Sequence, residues 1–294
     1  GVLVPALKAA IIDGTAPHVI EPKYWGAVER IVNLSDCVDA ERLYRQAGAV
    51  IQATDANAVL HARCRRFLGA AASLLGDSAR IAHDCTDVGK VIRTAQRIAD
   101  REFIGLRAGR GKEHRRFLSA VTPEGPVIFY ETLQALCPRM YSIEDDWGAS
   151  SRLLLAEIRA RALACGQEIY TCACPLFPHD KIEHLLIPAL GLGFTTSNLW
   201  HKADFPVYRR IHAARFTDAD RLRQKRQILS FNRRAARELL GEAVRIAGEA
   251  KRVHDEMEAF SIRAMDWEKA DAIMHRTVAE FLRLADDAPS PPAG

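Results

Sequence analysis

The chain has 294 residues, 41 Lys+Arg against 37 Asp+Glu, 48% apolar and 27% charged residues. That much apolar surface excludes an intrinsically disordered chain. No run approaches the ~18–20 apolar residues of a membrane span, and no segment has the order of a signal peptide. Seven cysteines without regular spacing make no disulfide framework. The sequence therefore predicts two domains, a cytoplasmic setting with reduced thiols, and no membrane partner.

In chain order, Gly1-Val2-Leu3-Val4-Pro5-Ala6-Leu7 is apolar from its start, as the middle of a domain is, which predicts a fragment. Ala9-Ala10-Ile11-Ile12-Asp13 reads as an apolar strand ending in an acid, a pattern that holds Mg²⁺ through water in phosphate-transfer enzymes. An aspartate opening a turn is the alternative. Phe67, Ala71, Leu74, Ser78, Ile81, Cys85 and Val88 form a stripe of period 3.5, and a helix follows over 87–100. Gly105 to Glu113 misses the phosphate-loop spacing and predicts a basic connector.

Residues 126–130 read as a short strand or turn, and 139–143 as a strand. A polar turn over 144–151 leads to a helix over 152–165, with Leu154, Ile158, Ala162 and Cys165 on one face and Gly166 as its stop. Strands follow at 168–172 and within 185–194. Strand, helix, strand predicts a parallel sheet with crossovers. Leu239, Ala243, Ile246, Ala250, Val253, Met257 and Phe260 form a second stripe, followed by a helix from Asp266, its N-cap, to about 284. Each stripe predicts a helical hairpin, with a plain bundle as the alternative. The tail 288–294 cannot build a helix.

The chain repeats itself. Pro5, Ala6, Leu7 and His18 match Pro188, Ala189, Leu190 and His201. Asp39-Ala40-Glu41-Arg42-Leu43 matches Asp218-Ala219-Asp220-Arg221-Leu222, and Leu68-Gly69 and Gly76 match Leu240-Gly241 and Gly248. The offset falls from 183 to 179 to 172, as small deletions between two copies would produce.

A strand, a glycine turn and a helix make the setting of a phosphate-binding loop, G-x-x-x-x-G-K-[ST]. That pattern falls on Asp145-Asp146-Trp147-Gly148-Ala149-Ser150-Ser151-Arg152. Gly148 is kept as an internal glycine. Asp145 and Ser150 replace the defining glycines, Ser151 the lysine, and Arg152 the Mg²⁺-binding hydroxyl. Asp145 and Asp146 are expected to repel phosphate, so the loop reads as a relic. Thr195 and Thr196 stand where the second copy would need an acid. His18 and His201 predict a shared structural hydrogen bond, and Cys172 and Cys174 read as buried strand cysteines rather than zinc ligands. Residues 209–237 carry ten Arg+Lys against Asp218 and Asp220, which reads as a solvated helix face, with phosphate contact as the alternative. No aromatic interleaving marks it for nucleic acid.

Val4-Pro5-Ala6-Leu7, Ala10-Ile11-Ile12-Asp13-Gly14-Thr15-Ala16-Pro17-His18, Glu21-Pro22-Lys23-Tyr24 and the 115–125 segment Arg-Arg-Phe-Leu-Ser-Ala-Val-Thr-Pro-Glu-Gly resemble a family of uncharacterised bacterial tandem P-loop ATPase-like proteins. The resemblance implies an α/β fold: P-loop NTPase-like three-layer domains with a mainly parallel sheet, each followed by a helical hairpin. It places the end of a first domain over 1–100, a degenerate second domain over 101–287 and a disordered tail over 288–294. It implies ATP and Mg²⁺ as ligands, Gly148, Ser150, Ser151 and Arg152 as nucleotide-side positions, and Asp13 as the metal-side acid. The expected protein binds nucleotide without appreciable hydrolysis. The alternative is a non-catalytic interaction module holding a protein or nucleic-acid partner through its hairpins and basic face.

Overall fold

A computed structural model describes residues 1–4, 7–15 and 19–286. Pro5, Ala6, His18 and the tail lie outside the described residues. The chain divides into two compact units, residues 1–55 with the chain from Val253 on, and Ala56–Arg252.

In the first unit, β1 (Val2–Val4) and β2 (Ala9–Ile11) pair antiparallel, Val2 opposite Ile11 and Val4 opposite Ala9. A 3-10 turn at Ser35–Cys37 leads to α1 (Ala40–Tyr44), whose N-cap Asp39 accepts the Arg42 N–H at 3.0 Å. The helices α2 (Ala47–Asp84) and α7 (Arg226–Ala264) contribute one end each, and α8 (Trp267–Asp286) follows. Asp39 N–H donates to Ala264 O and Asp266 N–H to Cys37 O, closing a bridge between Val38 and Met265.

The second unit holds the main core. Its elements are α3 (Val88–Glu102), β3 (Lys112–Arg116), the hairpin of β4 (Ser119–Thr122) and β5 (Gly125–Ile128), α4 (Tyr130–Leu136), β6 (Arg139–Glu144), α5 (Ala149–Ala164), β7 (Glu168–Cys174), β8 (Phe177–Ile187), β9 (Leu192–Ser197), β10 (Arg209–His212) and α6 (Ala219–Gln224). Six strands form one sheet in the order β10-β6-β9-β8-β7-β3. The sheet is mixed, which corrects the mainly parallel expectation. β8 runs antiparallel to both β7 and β9, while β10–β6, β6–β9 and β3–β7 are parallel. The cause is connection length: the turns after β7 and β8 are only a few residues long, and such turns can only reverse the chain.

The side chains alternate across the sheet with period two. Tyr141, Ile143, Leu185, Ile187 and Phe194 pack under α5 and α3, whose buried residues include Leu154, Leu155, Ile158, Val91 and Ile98. Met140 and Leu186 turn to the opposite face and pack with Leu133 of α4. Helix α5 starts at Ala149, three residues earlier than its apolar spacing predicts. It stops where Gly166, at φ +71°, lets its own N–H reach Leu163 O and the Gln167 N–H reach Ala162 O. The segment expected as a basic connector ends in β3, an edge strand in which Glu113 pairs with Arg159 and accepts the Thr171 hydroxyl.

The repeat is visible in the hydrogen bonding of each unit. Asp87 N–H donates to Phe216 O, Asp218 N–H to Cys85 O, and Thr86 bridges Thr217. Each partner lies 179 residues from its counterpart around Val38 and Met265. β1–β2 likewise reproduces the register of β8–β9, where Leu185 faces Phe194 and Ile187 faces Leu192. Because the offset is 179 at both ends of α2 and α7, the helices match without a gap, and Gly69 corresponds to Gly248. The expected matches of Gly69 with Gly241 and Gly76 with Gly248 are therefore wrong: they followed a chance Leu-Gly pair.

The stripes find different partners from those expected. The first crosses the end of α2 at Asp84, and Val88 already opens α3 behind its N-cap Asp87. Cys64 of α2 packs on Ala243 and Ile246 of α7, and Ala71 on Ala236 and Leu240. The Cys64 thiol donates to Ala243 O at 3.4 Å, joining two residues that are equivalent in the repeat. α3 packs on the sheet with α5 instead of on α2. Among the described residues, no helix is long and apolar enough to cross a membrane.

Candidate functional site

The turn between β6 and α5 is the strand-to-helix loop that the sequence marks at 145–152. Gly148 adopts φ +72°, a left-handed conformation that L side chains avoid, and serves as N-cap of α5. A helix start leaves N–H groups without partners, and here Asp145 supplies them. Its Oδ1 accepts the Trp147 and Gly148 N–H groups at 3.2 and 3.0 Å, and its Oδ2 accepts the Ser151 N–H at 2.8 Å. Asp145 is only 4% exposed. It does not merely face the phosphate position as a repelling charge, as the sequence suggests: its carboxylate sits inside the N–H cradle and fills it.

The other loop positions separate. Ser151 is fully buried and its hydroxyl has no partner among the described residues. Ser150 borders a cleft outside the loop, while Gly148 and Arg152 border an inner cavity. The Arg152 guanidinium donates to Asp180 O at 3.1 Å and lies 4.9 Å from the Phe177 ring centre. Burial raises the Asp146 pKa, against the opposing charge of Arg233.

β8 brings a cation and an acid to the loop. Lys181 Nζ lies 3.9 Å from the point where a side chain would begin on Gly148, and 3.0 Å from Glu183 Oε1. Glu183 also meets His201 Nε2 at 2.8 Å and accepts the Thr196 hydroxyl. Thus β8 places a buried ion pair beside the loop. Burial alone would raise the Glu183 pKa, but the Lys181 charge and the His201 contact outweigh it and hold it well below the usual carboxylate range. Burial also pushes the Tyr130 hydroxyl, near His201 Nδ1 at 3.3 Å, up to about 12. His184, on the opposite face of β8, is pushed down to about 3 by burial; its Nδ1 meets Thr195 Oγ1 at 2.8 Å and its Nε2 has no partner. Spacing rules missed Lys181 and Glu183. The available signal was Asp180-Lys181-Ile182-Glu183-His184, charged residues alternating in a strand otherwise bound for the core.

The outer cleft has a volume of about 1050 Å³ and is bordered by the start of α5, Trp147 and the arginines 223, 226, 233 and 234. The Arg233 guanidinium stacks over Trp147, 4.4 Å from the ring centre. Arg226 and Arg234 have no ion-pair partner among the described residues. Part of the basic stretch over 209–237 therefore lines a concavity, rather than only a solvated helix face.

ATP with Mg²⁺ does not fit the loop as built. A phosphate would meet the Asp145 carboxylate in the cradle, and like charges ~4 Å apart cost about 4 kcal/mol at an effective dielectric near 20. Among the described residues, no group of three or more His, Cys, Asp or Glu is placed to hold a metal. Asp13 accepts the N–H and hydroxyl of Thr15 at 2.9 and 2.7 Å, the geometry of an aspartate turn. Cys172 and Cys174 are buried in β7, and burial pushes their thiols up to about 12 and 11. His201 Nε2 meets Glu183 Oε1 at 2.8 Å and Asn198 Nδ2 at 3.1 Å; His18, its counterpart in the expected shared bond, lies outside the described residues.

No family model, curated protein or solved structure matches the chain.

Proposed function

We propose that the chain is a relative of tandem P-loop ATPases that binds a nucleotide without hydrolysing it. One observation carries the reading: the Asp145 carboxylate occupies the N–H cradle at the start of α5. Phosphoryl transfer needs that cradle for phosphate, together with a lysine and a metal ion to neutralise the moving charge. With the cradle filled, the phosphates have the arginine-bordered cleft beside it. Arg226 and Arg234 suit that role, because guanidinium groups bind phosphate with paired N–H donors and need no metal to do so. Trp147, stacked under Arg233, offers a flat face for a base.

Calorimetry with ATP, ADP and inorganic phosphate, with and without Mg²⁺, tests the proposal alongside a phosphate-release assay. Binding that survives removal of Mg²⁺, weakens about tenfold in Arg226→Ala/Arg234→Ala, and yields no phosphate is the expected result. Turnover that vanishes in Ser151→Ala would sink it, as would failure to bind any nucleotide.

A second reading, an interaction module, is favoured by the first unit. Val2 and Leu3 are 63% and 62% exposed, whereas their repeat counterparts Leu185 and Leu186 are buried. Light scattering across a concentration series, with Leu3→Lys as the control, tests whether these residues engage another protein surface.

A further inference from the structure

The loop also borders an inner cavity on the side of Gly148 and Arg152. Its volume is about 100 Å³, somewhat below the roughly 150 Å³ of an engineered protein cavity that accepts benzene. It therefore has room for a short branched chain, and none for an aromatic ring with a substituent or for a nucleotide. Most of its wall is apolar, with Val127 of β5, Leu176, Phe177 and the indoles of Trp147 and Trp200.

The polar part of the wall is unbalanced. The Ser119 hydroxyl is buried without a partner among the described residues, and so is Arg152 Nε. Among the described residues Arg152 has no ion-pair partner: its guanidinium meets a backbone carbonyl and the face of Phe177. The nearby acids are already engaged. Glu183 is held by Lys181, His201 and Thr196, and Asp145 is held by three backbone N–H groups. Asp146 faces the charges of Arg233 and Lys202. The cavity thus presents one unanswered cation and one unanswered hydroxyl in apolar surroundings. Buried donors left unpaired are costly, and a ligand that supplies acceptors there recovers the cost.

We propose that this cavity is a binding site for a small monocarboxylate with a short branched apolar body, its carboxylate on Arg152 and Ser119 and its body against Phe177, Val127 and the two tryptophans. The site adjoins the arginine cleft and shares Trp147 and Arg233 with its wall, but its carboxylate-binding groups, Arg152 and Ser119, border the inner cavity alone.

Calorimetry and thermal shift on the whole chain test the assignment with three probes. Isobutyrate carries both charge and branched body, isobutanol the body alone, and inorganic phosphate a charge without an apolar body. Isobutyrate should bind, isobutanol should bind about tenfold more weakly, and phosphate should not compete with isobutyrate. Arg152→Gln should weaken isobutyrate about tenfold. Ser119→Ala, which removes one oxygen, provides a milder loss should Arg152→Gln fail to fold. Arg226→Ala/Arg234→Ala should leave isobutyrate binding unchanged. Equal binding of isobutyrate and isobutanol, no binding of isobutyrate at millimolar concentration, or loss of isobutyrate binding in the cleft variant would each overturn the proposal.

Discussion

The Asp145 carboxylate accepts the backbone N–H of Ser151 at 2.8 Å, so the first turn of α5 is closed by an acid from its own loop. Cradles of this kind bind phosphate because backbone N–H groups converge on one point at a helix start. Here that point holds a fixed negative charge. Asp145→Asn keeps an acceptor oxygen and removes the charge. It should lower stability by about 1–3 kcal/mol, the cost of a buried charge-assisted hydrogen bond, as read by urea unfolding at pH 7. Asp145→Gly should also open the cradle and let sulfate stabilise the protein in a thermal shift assay. Absence of sulfate stabilisation in that variant would mean that the cradle collapses without its acid.

Gly148 is the position where the loop depends most on backbone freedom. Its φ of +72° is costly for any residue with a side chain, and a Cβ there would lie 3.7 Å from Lys181 Cε, in ordinary contact. Gly148→Ala should therefore cost about 1–2 kcal/mol through backbone strain alone. Urea unfolding reads that loss. A neutral outcome would show that the loop relaxes.

His184 makes stability depend on pH. Folded, it binds a proton only near pH 3, against an ordinary value of 6.5. As pH falls through about 6.5, the unfolded chain takes up a proton that the folded chain refuses. Stability is therefore complete above that value and falls between about pH 6.5 and pH 3, by roughly 2–4 kcal/mol at pH 4. Lys181, Glu183 and His201 are the charged and titratable groups around it. Glu183 acts with the same sign at lower pH, because its folded value is depressed: its contribution is present above the usual carboxylate range and is lost below it. His184→Asn should flatten the decline between pH 6.5 and 4 in urea unfolding series. An unchanged slope would assign the decline to another group.

The helix pair gives a packing test. Ala243 is fully buried where α7 meets Cys64 of α2. Ala243→Leu inserts atoms into a filled contact and should cost about 1–3 kcal/mol. Its repeat counterpart Cys64→Leu should behave alike in the same measurement, since the two face each other. A large loss at one site only would mean that the contact is less symmetric than the repeat implies.

Local signals in the sequence determined a good deal. The matched strings at Asp39 and Asp218 mark the two copies. The strand-turn-helix at 139–165, the stop at Gly166 and the caps at Asp87 and Asp266 follow from residue preferences over a few positions, where backbone geometry and the nearest hydrogen bonds decide. Tertiary structure decided what those pieces meet. A 3.5-residue stripe says that a helix buries one face, without saying against what; the partner of Cys64 proved to be Ala243 on the other copy's helix. Apolar strands read alike whichever way they run, so the direction of β8 came from its short turns. Asp145 next to a glycine loop looks like a phosphate repellent until its side chain is seen turned inward onto three N–H groups. Lys181 and Glu183 lie some thirty residues beyond that loop, and the pairing of β8 with β9 and of β9 with β6 brings them to it. The contacts of Cys64, Lys181 and Glu183 join residues far apart in the chain, and no local preference encodes such a contact; the direction of β8 and the turn of Asp145 onto its own loop are local, but they depend on backbone geometry that residue types alone leave open.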